Sequence, residues 1–150
     1  MYCRSRQSMA KKAALQFLSH RDHGHYELQQ KLLNNGFELI DIDEAMIFCR
    51  NHHYLDDLRY AKTQMKRQIN NGHGEGRIRQ ELQAKRVSNE VIEQVLREQP
   101  QDWFKLARYS LEQNFDESVV LGEDGYTKQV RYLQFRGFSF DQIEYALNPG

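Results

Sequence analysis

Apolar residues recur along the chain every three or four positions, which is the spacing of one face of an α-helix. Examples are Leu15 and Leu18, Leu28 and Leu32, and Ile78 and Leu82. No segment of the sequence alternates between apolar and polar residues over the length that a half-buried strand requires. The pattern therefore predicts an all-α protein.

The apolar pattern also repeats over a longer distance. A set of four apolar positions recurs 50 positions later and again after a further 51 positions. The three sets are Leu32, Phe37, Ile42 and Met46; then Leu82, Val87, Ile92 and Leu96; then Leu133, Phe138, Ile143 and Leu147. Near-constant offsets of this kind are typical of a structural unit that is used in tandem. The sequence thus predicts three copies of one unit.

Turn and capping signals divide each copy into three helices. A turn precedes the last helix of each copy, at Gly36-Phe37, Arg86-Val87 and Gly137-Phe138. The helix-start signals that follow are Asp41 with Glu44, Ser88 alone, and Ser139 with Gln142, of which the first and third fit a capping box. The predicted helices are Met9–Ser19, His25–Asn34, Asp43–Asn51, Asp57–Asn70, Arg77–Lys85, Asn89–Glu98, Trp103–Asn114, Thr127–Phe135 and Asp141–Leu147.

The copies define three predicted modules. These are residues 1–53 with an N-terminal extension, residues 54–100, and residues 101–150, with Pro100 at the second joint. One such unit buries too little apolar surface to be stable by itself, so we expect the modules to stack into an elongated, curved tandem array. The acidic and glycine-containing segment Asp116–Gly125 predicts a mobile loop within the third module.

The composition is that of a folded protein with a thin core. Hydrophobic residues make up 39% and charged residues 28% of the chain, and the mean hydropathy is -0.83. No apolar run approaches the roughly 20 residues that a membrane span needs, and the N-terminal residues lead into no apolar signal segment. Two cysteines, Cys3 and Cys49, are too few for a disulfide scaffold. These features predict a cytoplasmic protein with reduced thiols and no membrane association.

The charges are unevenly distributed, although the net charge over 150 residues is zero. Residues 59–86 hold eight basic and two acidic side chains, whereas residues 32–58 hold one basic and six acidic side chains. The zero net charge argues against a generally basic DNA-binding protein. The central basic segment instead predicts a local surface for an anionic partner.

Helical spacing places Arg59, Lys62 and Lys66 on one face, opposite the apolar stripe of their helix. Like charges at this spacing repel one another, and an anionic partner would relieve the repulsion. A solvated basic face balanced by Glu75 and Glu81 is the alternative interpretation. The candidate residues for contact with DNA or an acidic protein surface are Arg59, Lys62, Lys66, Arg67, Arg77, Arg79, Lys85, Arg86, Lys128 and Arg131.

Residues that are common in active sites occur in patterns that favour structural roles. Asp56 and Asp57 lie at the first turn of a helix, where carboxylates cap free amides. Gly72, Gly74 and Gly76 lack the preceding strand and the following lysine of nucleotide-binding loops. A tight turn is therefore favoured there, with a backbone contact to phosphate as the alternative. No enzymatic activity is predicted.

The histidines do not follow metal-ligand spacing. His20, His23 and His25 fall at a helix junction, and Cys49 supplies one thiolate beside His52 and His53. Polar loop histidines are the favoured interpretation, and neither a metal nor a cofactor is predicted.

Most aromatic residues fall on the apolar phase of their helices, which predicts core packing rather than stacking on bases. This set contains Tyr60, Trp103, Phe104, Phe135, Phe138 and Phe140. Tyr126 and Tyr132, near Lys128 and Arg131, are the best candidates for contact with a base.

Two segments carry a resemblance to a known family. Tyr54–Ala61 (YLDDLRYA) and Gly72–Leu82 (GHGEGRIRQEL) resemble the central signatures of RecX, a family that regulates RecA. The similarity covers roughly residues 13–147 and is most specific over residues 54–87. The chain departs from the family pattern at Gly24, where relatives commonly carry a Ser or Thr cap, and at Arg86, where a glycine is common.

The resemblance implies a function in recombination, DNA repair and the SOS response. RecX-like proteins lie in the helical groove of a RecA filament on single-stranded DNA, where they oppose filament extension, ATP hydrolysis and strand exchange. The implied partners are the RecA filament and single-stranded DNA, with double-stranded DNA as a second candidate, and the free protein is expected to be a monomer. A generic helical DNA-binding module without a RecA role is the alternative.

Overall fold

A computed structural model describes residues 2–114 and 123–148. Within these ranges the chain forms nine α-helices and no strand, which confirms the all-α prediction. The helices are α1 (Tyr2–His20), α2 (His25–Asn34), α3 (Leu39–Asn51), α4 (Asp57–Asn70), α5 (Glu75–Ala84), α6 (Asn89–Glu98), α7 (Trp103–Asn114), α8 (Glu123–Phe135) and α9 (Phe140–Leu147).

Four helices, α2, α4, α6 and α7, have the predicted bounds, and the other five begin earlier than predicted. The predicted loop Asp116–Gly125 lies outside the described residues up to position 122, and its last three residues form the first turn of α8 instead. Helix α3 begins at Leu39 and not at Asp43. Asp41 and Glu44, which were predicted to form a capping box at the helix start, therefore lie inside the helix.

The capping predictions have different outcomes. Glu38 is the N-cap of α3 and makes no side-chain cap hydrogen bond, while Asp41 is buried in the first turn, so the capping box at Asp41 was wrong. Ser139 and Gln142 form the predicted capping box at α9. The hydroxyl oxygen of Ser88 accepts a hydrogen bond from the Val91 amide at 3.2 Å, as expected of a cap.

The repeated turn has one backbone conformation in all three copies. Gly36, Arg86 and Gly137 have φ angles of 89°, 61° and 97°, in the left-handed region that ends many helices. Glycine adopts this region without strain, whereas a side chain costs about 1–2 kcal/mol there. Arg86 therefore carries backbone strain that its two glycine counterparts avoid.

The chain divides into two compact units. The first consists of residues 1–62 and 83–95, and the second of residues 63–82 and 96–150. In the first unit α1 packs on α3, around a core of Ala10, Ala14, Leu28, Leu32, Ile42, Ala45, Met46, Cys49 and Leu55. In the second, α7 packs on α9, around Ala107, Leu111, Leu133, Phe138, Ile143 and Ala146. Helices α4, α5 and α6 contribute residues to both units.

The repeated apolar positions are core positions in every copy. Leu32, Leu82 and Leu133 are at most 1% exposed, and the other members of the three sets are buried or half-buried. The tandem helical repeat predicted from the sequence is thus present. Among the described helices, none is both long and apolar enough to cross a membrane.

Candidate nucleic-acid interface

Arg59 is held by hydrogen bonds within the first unit, although 42% of its side chain remains exposed to solvent. Its Nε donates to Asp22 Oδ2 at 2.9 Å, and its Nη2 donates to Asp22 Oδ1 at 3.0 Å. Nη1 also donates to the His53 carbonyl oxygen at 2.9 Å, and Nη2 to that of Tyr54 at 3.1 Å. The hydrogen bonds to Asp22 raise the pKa of Arg59, although partial burial acts in the opposite direction. These bonds restrict Arg59 to one orientation, toward α1 and the turn before α4.

Two basic residues of α5 form ion pairs along their own helix. Arg79 Nε donates to Glu75 Oε2 at 3.1 Å, and Arg77 Nε donates to Glu81 Oε1 at 3.4 Å, both four residues apart. Such half-exposed pairs are worth a few tenths of a kcal/mol. Their charges are therefore partly balanced but remain accessible to a stronger anionic partner.

Lys85 and Arg86 lie beside α2 in the first unit. Lys85 Nζ is 4.0 Å from Glu27 Oε2, and the Arg86 guanidinium lies 5.4 Å from the centre of the Tyr26 ring. Both basic side chains are exposed. Glu27 is also paired with Arg21, whose Nη2 lies 2.7 Å from Oε2, so Lys85 competes with a closer cation for the same carboxylate.

The remaining predicted residues are open to solvent or nearly so. Lys66, Arg67, Lys128 and Arg131 are exposed, and Lys62 is half-buried. Among the described residues, the side chains of the four exposed cations form no hydrogen bond or ion pair. Unlike Arg59, these four can reorient toward a phosphate without breaking a hydrogen bond or ion pair to another described residue.

Three functional candidates were missed at the sequence level. His73, Phe135 and Arg136 lie in the second unit together with Arg77, Arg131 and Tyr132, and the six side chains line one open cleft of ≈ 550 Å³. We call this site the arginine cleft. Arg136 was missed because residues 103–150 hold five basic and seven acidic side chains, so the regional charge hides the local cluster.

The aromatic prediction was wrong for several residues. Tyr60 and Phe138 are buried, as predicted, but Phe104, Phe135 and Phe140 are 42%, 75% and 71% exposed. A signal for Phe135 was present, since it follows buried Leu133 by two positions, and two positions of a helix turn about 200°. Of the two residues predicted to contact bases, Tyr126 is exposed and Tyr132 is half-buried against the core of the second unit.

The two aspartates cap two different helices. Asp56 Oδ1 accepts hydrogen bonds from the amides of Leu58 and Arg59, at 3.0 and 3.2 Å, and so caps α4. Asp57 Oδ1 instead accepts from the His25 amide at 2.8 Å, at the start of α2. The N-cap of α2 is Gly24, which has no side chain to do this, and a Cβ there would lie 3.0 Å from the Tyr60 ring. A distant carboxylate therefore replaces the missing local cap.

The glycine stretch is a packing contact between backbones. The Gly74 amide donates to the Arg136 carbonyl oxygen at 2.7 Å, and the Gly76 amide donates to the Gly137 carbonyl oxygen at 2.9 Å. A Cβ on Gly74 would lie 2.7 Å from the Phe138 ring, and one on Gly137 would lie 2.3 Å from the Arg77 amide nitrogen. The predicted tight turn is thus also the joint that brings Arg77 near Arg136.

His23 differs from the polar loop histidine that was predicted. It is 2% exposed, its Nδ1 lies 3.0 Å from the Arg21 carbonyl oxygen, and its Nε2 lies 2.8 Å from Lys31 Nζ. Burial lowers the pKa of His23. Burial likewise raises the pKa of the Cys49 thiol, which lies in the core of the first unit. Within the described ranges, no three His, Cys, Asp or Glu side chains group in a way that could hold a metal ion.

Two family models match the chain. The model described as RecX, first three-helix domain, matches residues 10–49, and the one described as RecX, second three-helix domain, matches residues 56–96. Both matches coincide with the first two copies of the repeat. The matched domains and the fold define an all-α protein built from tandem three-helix domains.

Relatives of known name match nearly the whole chain. A protein named Regulatory protein RecX from Vibrio parahaemolyticus serotype O3:K6 is 56% identical over 139 residues, which are 93% of this chain and 90% of that protein. The protein of the same name from Vibrio cholerae serotype O1 is 48% identical, over 91% of this chain and 90% of its own. A third, from Salmonella paratyphi B, is 34% identical over 87% of this chain and 85% of its own. The chain belongs to the RecX family.

Solved structures of the family share the fold. A crystal structure of regulatory protein RecX superposes with a TM-score of 0.84 at 23% identity, over 95% of this chain and 73% of that one. A crystal structure of RecX from Lactobacillus salivarius gives a TM-score of 0.81 at 20% identity, over 95% of both chains. At these identities the likeness supports the helical fold alone.

Proposed function

We propose that this protein is a negative regulator of RecA that binds the RecA filament on single-stranded DNA, in its helical groove, and inhibits filament extension, ATPase activity and strand exchange. It would act in the cytoplasm during recombination, DNA repair and the SOS response, as a monomer when free. The observation that supports the proposal is membership in a family of regulatory proteins over most of the chain.

The proposed mechanism is binding without catalysis. A protein that binds one state of a filament better than another shifts the population toward the first state and needs no reacting group. The caps formed by Asp56 and Asp57 are consistent with this, because both carboxylates are already used to stabilise helix starts. We therefore propose no enzymatic activity for this chain. The modules 1–53, 54–100 and 101–150 would each offer one surface to the filament.

The proposed contacts fall into two groups by their geometry. Lys66, Arg67, Arg86, Lys128 and Arg131 are exposed and would meet phosphates or acidic RecA residues directly. The other members of the predicted set are Arg59, Lys62, Arg77, Arg79 and Lys85. In this group Arg59, Arg77 and Arg79 already hold intramolecular partners, and each would contribute to binding mainly through its charge.

A salt titration tests this division. Replacing Lys66 and Arg67 together with Ala should weaken DNA binding. It should also reduce the salt slope, which is the slope of log affinity against log salt concentration, by up to about 0.7–0.9 for each lost phosphate contact. Arg59→Ala should change the salt slope less. Equal slopes for all variants and the unaltered protein would assign these residues to a solvated surface.

The function itself is tested by a steady-state ATPase titration of the cognate RecA on preformed filaments. We expect inhibition at ratios well below one protein per RecA subunit, and no ATP hydrolysis by the protein alone. Inhibition by competition for DNA would need near-saturating protein and would vanish when DNA is in excess. That outcome, or unaltered RecA activity at equimolar protein, would favour a generic helical DNA-binding module.

A further inference from the structure

The arginine cleft combines concentrated positive charge with an exposed aromatic ring. It is lined by His73, Arg77, Arg131, Tyr132, Phe135 and Arg136. Three of these six side chains are guanidiniums. Among the described residues, no carboxylate lines the cleft, and Glu81, outside the lining, pairs with one of its cations, Arg77. The charge of the cleft is therefore incompletely balanced by the described residues around it.

Two of the guanidiniums are fixed by contacts to backbone and ring. Arg77 Nη1 donates to the Phe135 carbonyl oxygen at 3.2 Å, and its guanidinium lies 5.2 Å from the centre of the Phe135 ring. Arg136 Nη1 donates to the Asn71 carbonyl oxygen at 2.7 Å, and its guanidinium lies 4.9 Å from the centre of the Tyr132 ring. Carbonyl oxygens and ring faces orient the two groups without neutralising them.

Arg131 is the exposed cation of the cleft, whereas Arg77 and Arg136 are half-buried. Its side chain is exposed, and within the described ranges it has no hydrogen-bond or ion-pair partner. Burial lowers the pKa of His73, and the charges of Arg77 and Arg136 lower it further. The effect on His73 is a second sign that positive charge is concentrated here. An anion placed among these groups would gain from all of them.

Phe135 supplies a flat aromatic surface beside the three arginines of the cleft. It is 75% exposed, so most of its ring surface remains open while Arg77 lies over the ring. An exposed aromatic ring beside arginines is the arrangement that binds single-stranded nucleic acid, because a base stacks on the ring while the adjoining phosphate meets the cations. An acidic peptide would satisfy the arginines but would leave the ring without a planar partner.

We propose that the arginine cleft is a binding site for one nucleotide unit of single-stranded nucleic acid, with the base stacked on Phe135 and the phosphate held by Arg131 and Arg136. This deepens the proposed function and rests on it for biological context, since it assigns contact with a single strand to a defined place in the second unit. The ligand chemistry is a phosphodiester with an unpaired base.

The test uses the full-length protein and a fluorescein-labelled oligothymidylate, with binding followed by anisotropy. Phe135→Ala should weaken binding about 5- to 150-fold, which corresponds to the loss of one base stack. Phe135→Trp should restore the affinity. Phe140→Ala is the matched control, because Phe140 is 71% exposed in the same unit but does not line the cleft.

Two further comparisons separate the base from the phosphate. An abasic strand of equal length should bind more weakly than oligothymidylate, and its affinity should not change with Phe135→Ala. Arg131→Ala should lower the salt slope by about 0.7 on either strand, the value for one phosphate contact on a single strand. Lys105→Ala removes an exposed cation outside the cleft and should leave the slope less affected.

Several results would overturn the proposal. Equal affinities for Phe135→Ala and Phe140→Ala would remove the base stack, and an unchanged slope for Arg131→Ala would remove the phosphate contact. Tighter binding of poly-glutamate than of oligothymidylate, with the same sensitivity to Phe135→Ala, would assign the cleft to an acidic protein segment. Circular dichroism checks that each variant is folded. RecA is absent from this assay, so its outcome is independent of the ATPase titration.

Discussion

The guanidinium of Arg59 meets the carboxylate of Asp22 through two parallel hydrogen bonds of 2.9 and 3.0 Å. Because a bidentate pair of this kind ties the start of α4 to the segment after α1, we expect Arg59→Ala to lower the free energy of unfolding by about 1–2 kcal/mol, allowing for partial exposure. Arg59→Lys should restore only part of the loss, since an ammonium lacks the two-pronged geometry. Urea denaturation measures both.

A double-mutant cycle with Asp22→Asn identifies the partner. If the pair is the source of the effect, the double variant should be less destabilised than the sum of the single variants. Full additivity would mean that the contacts of Arg59 to the His53 and Tyr54 carbonyl oxygens are responsible instead.

Arg86 has a strained backbone conformation and an exposed charge, so its replacement by glycine should affect stability and DNA binding in opposite directions. Its φ of 61° falls in the left-handed region, and its exposed side chain is a proposed phosphate contact. Arg86→Gly relieves the strain, which costs about 1–2 kcal/mol, but adds flexibility to the unfolded chain, so we expect a net gain of roughly 0.5–1 kcal/mol. The same change should weaken DNA binding. Thermal denaturation and anisotropy measure the two effects.

Arg86→Ala is the matched control, because it removes the charge and keeps the strain. Its DNA affinity should fall as far as that of Arg86→Gly, without the gain in stability. If Arg86→Gly proves less stable than the unaltered protein, the contact of Arg86 with Tyr26 outweighs the backbone strain.

Because His23 is buried, we expect the protein to lose stability in mild acid. Burial lowers its pKa below the ordinary value of 6.5, and the charges of Arg21 and Lys31 add to this against the opposing effects of the Arg21 carbonyl oxygen and Glu27. The neutral ring is therefore favoured in the folded state. Its contribution to the free energy of unfolding is fully present above pH 6.5 and falls as the pH drops below that value. Urea denaturation at pH 7.5 and pH 5.5 should show the decrease.

His23→Gln should reduce this pH dependence, because glutamine does not titrate. His20→Gln, at the exposed end of α1, serves as the comparison and should retain the slope of the unaltered protein. A slope that is equal in all three proteins would show that other groups cause the acid sensitivity.

Gly137 and Gly36 occupy equivalent turns but differ in their surroundings. Both have positive φ, yet a Cβ on Gly36 would meet no atom of the described residues within 4 Å, whereas one on Gly137 would lie 2.3 Å from the Arg77 amide nitrogen. Gly36→Ala should cost about 1–2 kcal/mol for the backbone alone. Gly137→Ala should cost at least about 2 kcal/mol more, because neighbouring backbone must move. Similar costs, measured by thermal denaturation, would argue against a tight joint.

The repeat could be predicted because it depends on local patterns. Leu32, Leu82 and Leu133 are spaced by the length of one unit, and each is buried because the same helix-turn-helix geometry surrounds it. The turns were predictable for the same reason, since a left-handed residue before an apolar one is a local signal. The module boundaries and the curved stacking of the modules stay predictions.

Contacts between distant residues could not be predicted. Asp57 caps a helix that begins 32 residues earlier, and Arg59 pairs with Asp22 across 37 residues. Helical spacing correctly placed Arg59 away from the apolar stripe of its helix. Whether a carboxylate lies there to pair with it depends on the position of Asp22, just after α1, in the folded chain. The arginine cleft was missed likewise, since Arg77 and Arg136 lie 59 positions apart in the chain.

The two amide hydrogen bonds from Gly74 and Gly76 determine more than the packing of a turn. Arg77 follows one of these glycines and Arg136 accepts the bond from the other, so both cations are set in place when the second unit folds. The repulsion between these two cations is overcome when the protein folds. Binding of a ligand therefore needs no further conformational entropy loss to bring Arg77 and Arg136 into the cleft. By thermodynamic linkage, an anion that binds the cleft of the folded protein and not the unfolded chain should raise the melting temperature, and the increase should continue with the logarithm of the anion concentration above its dissociation constant.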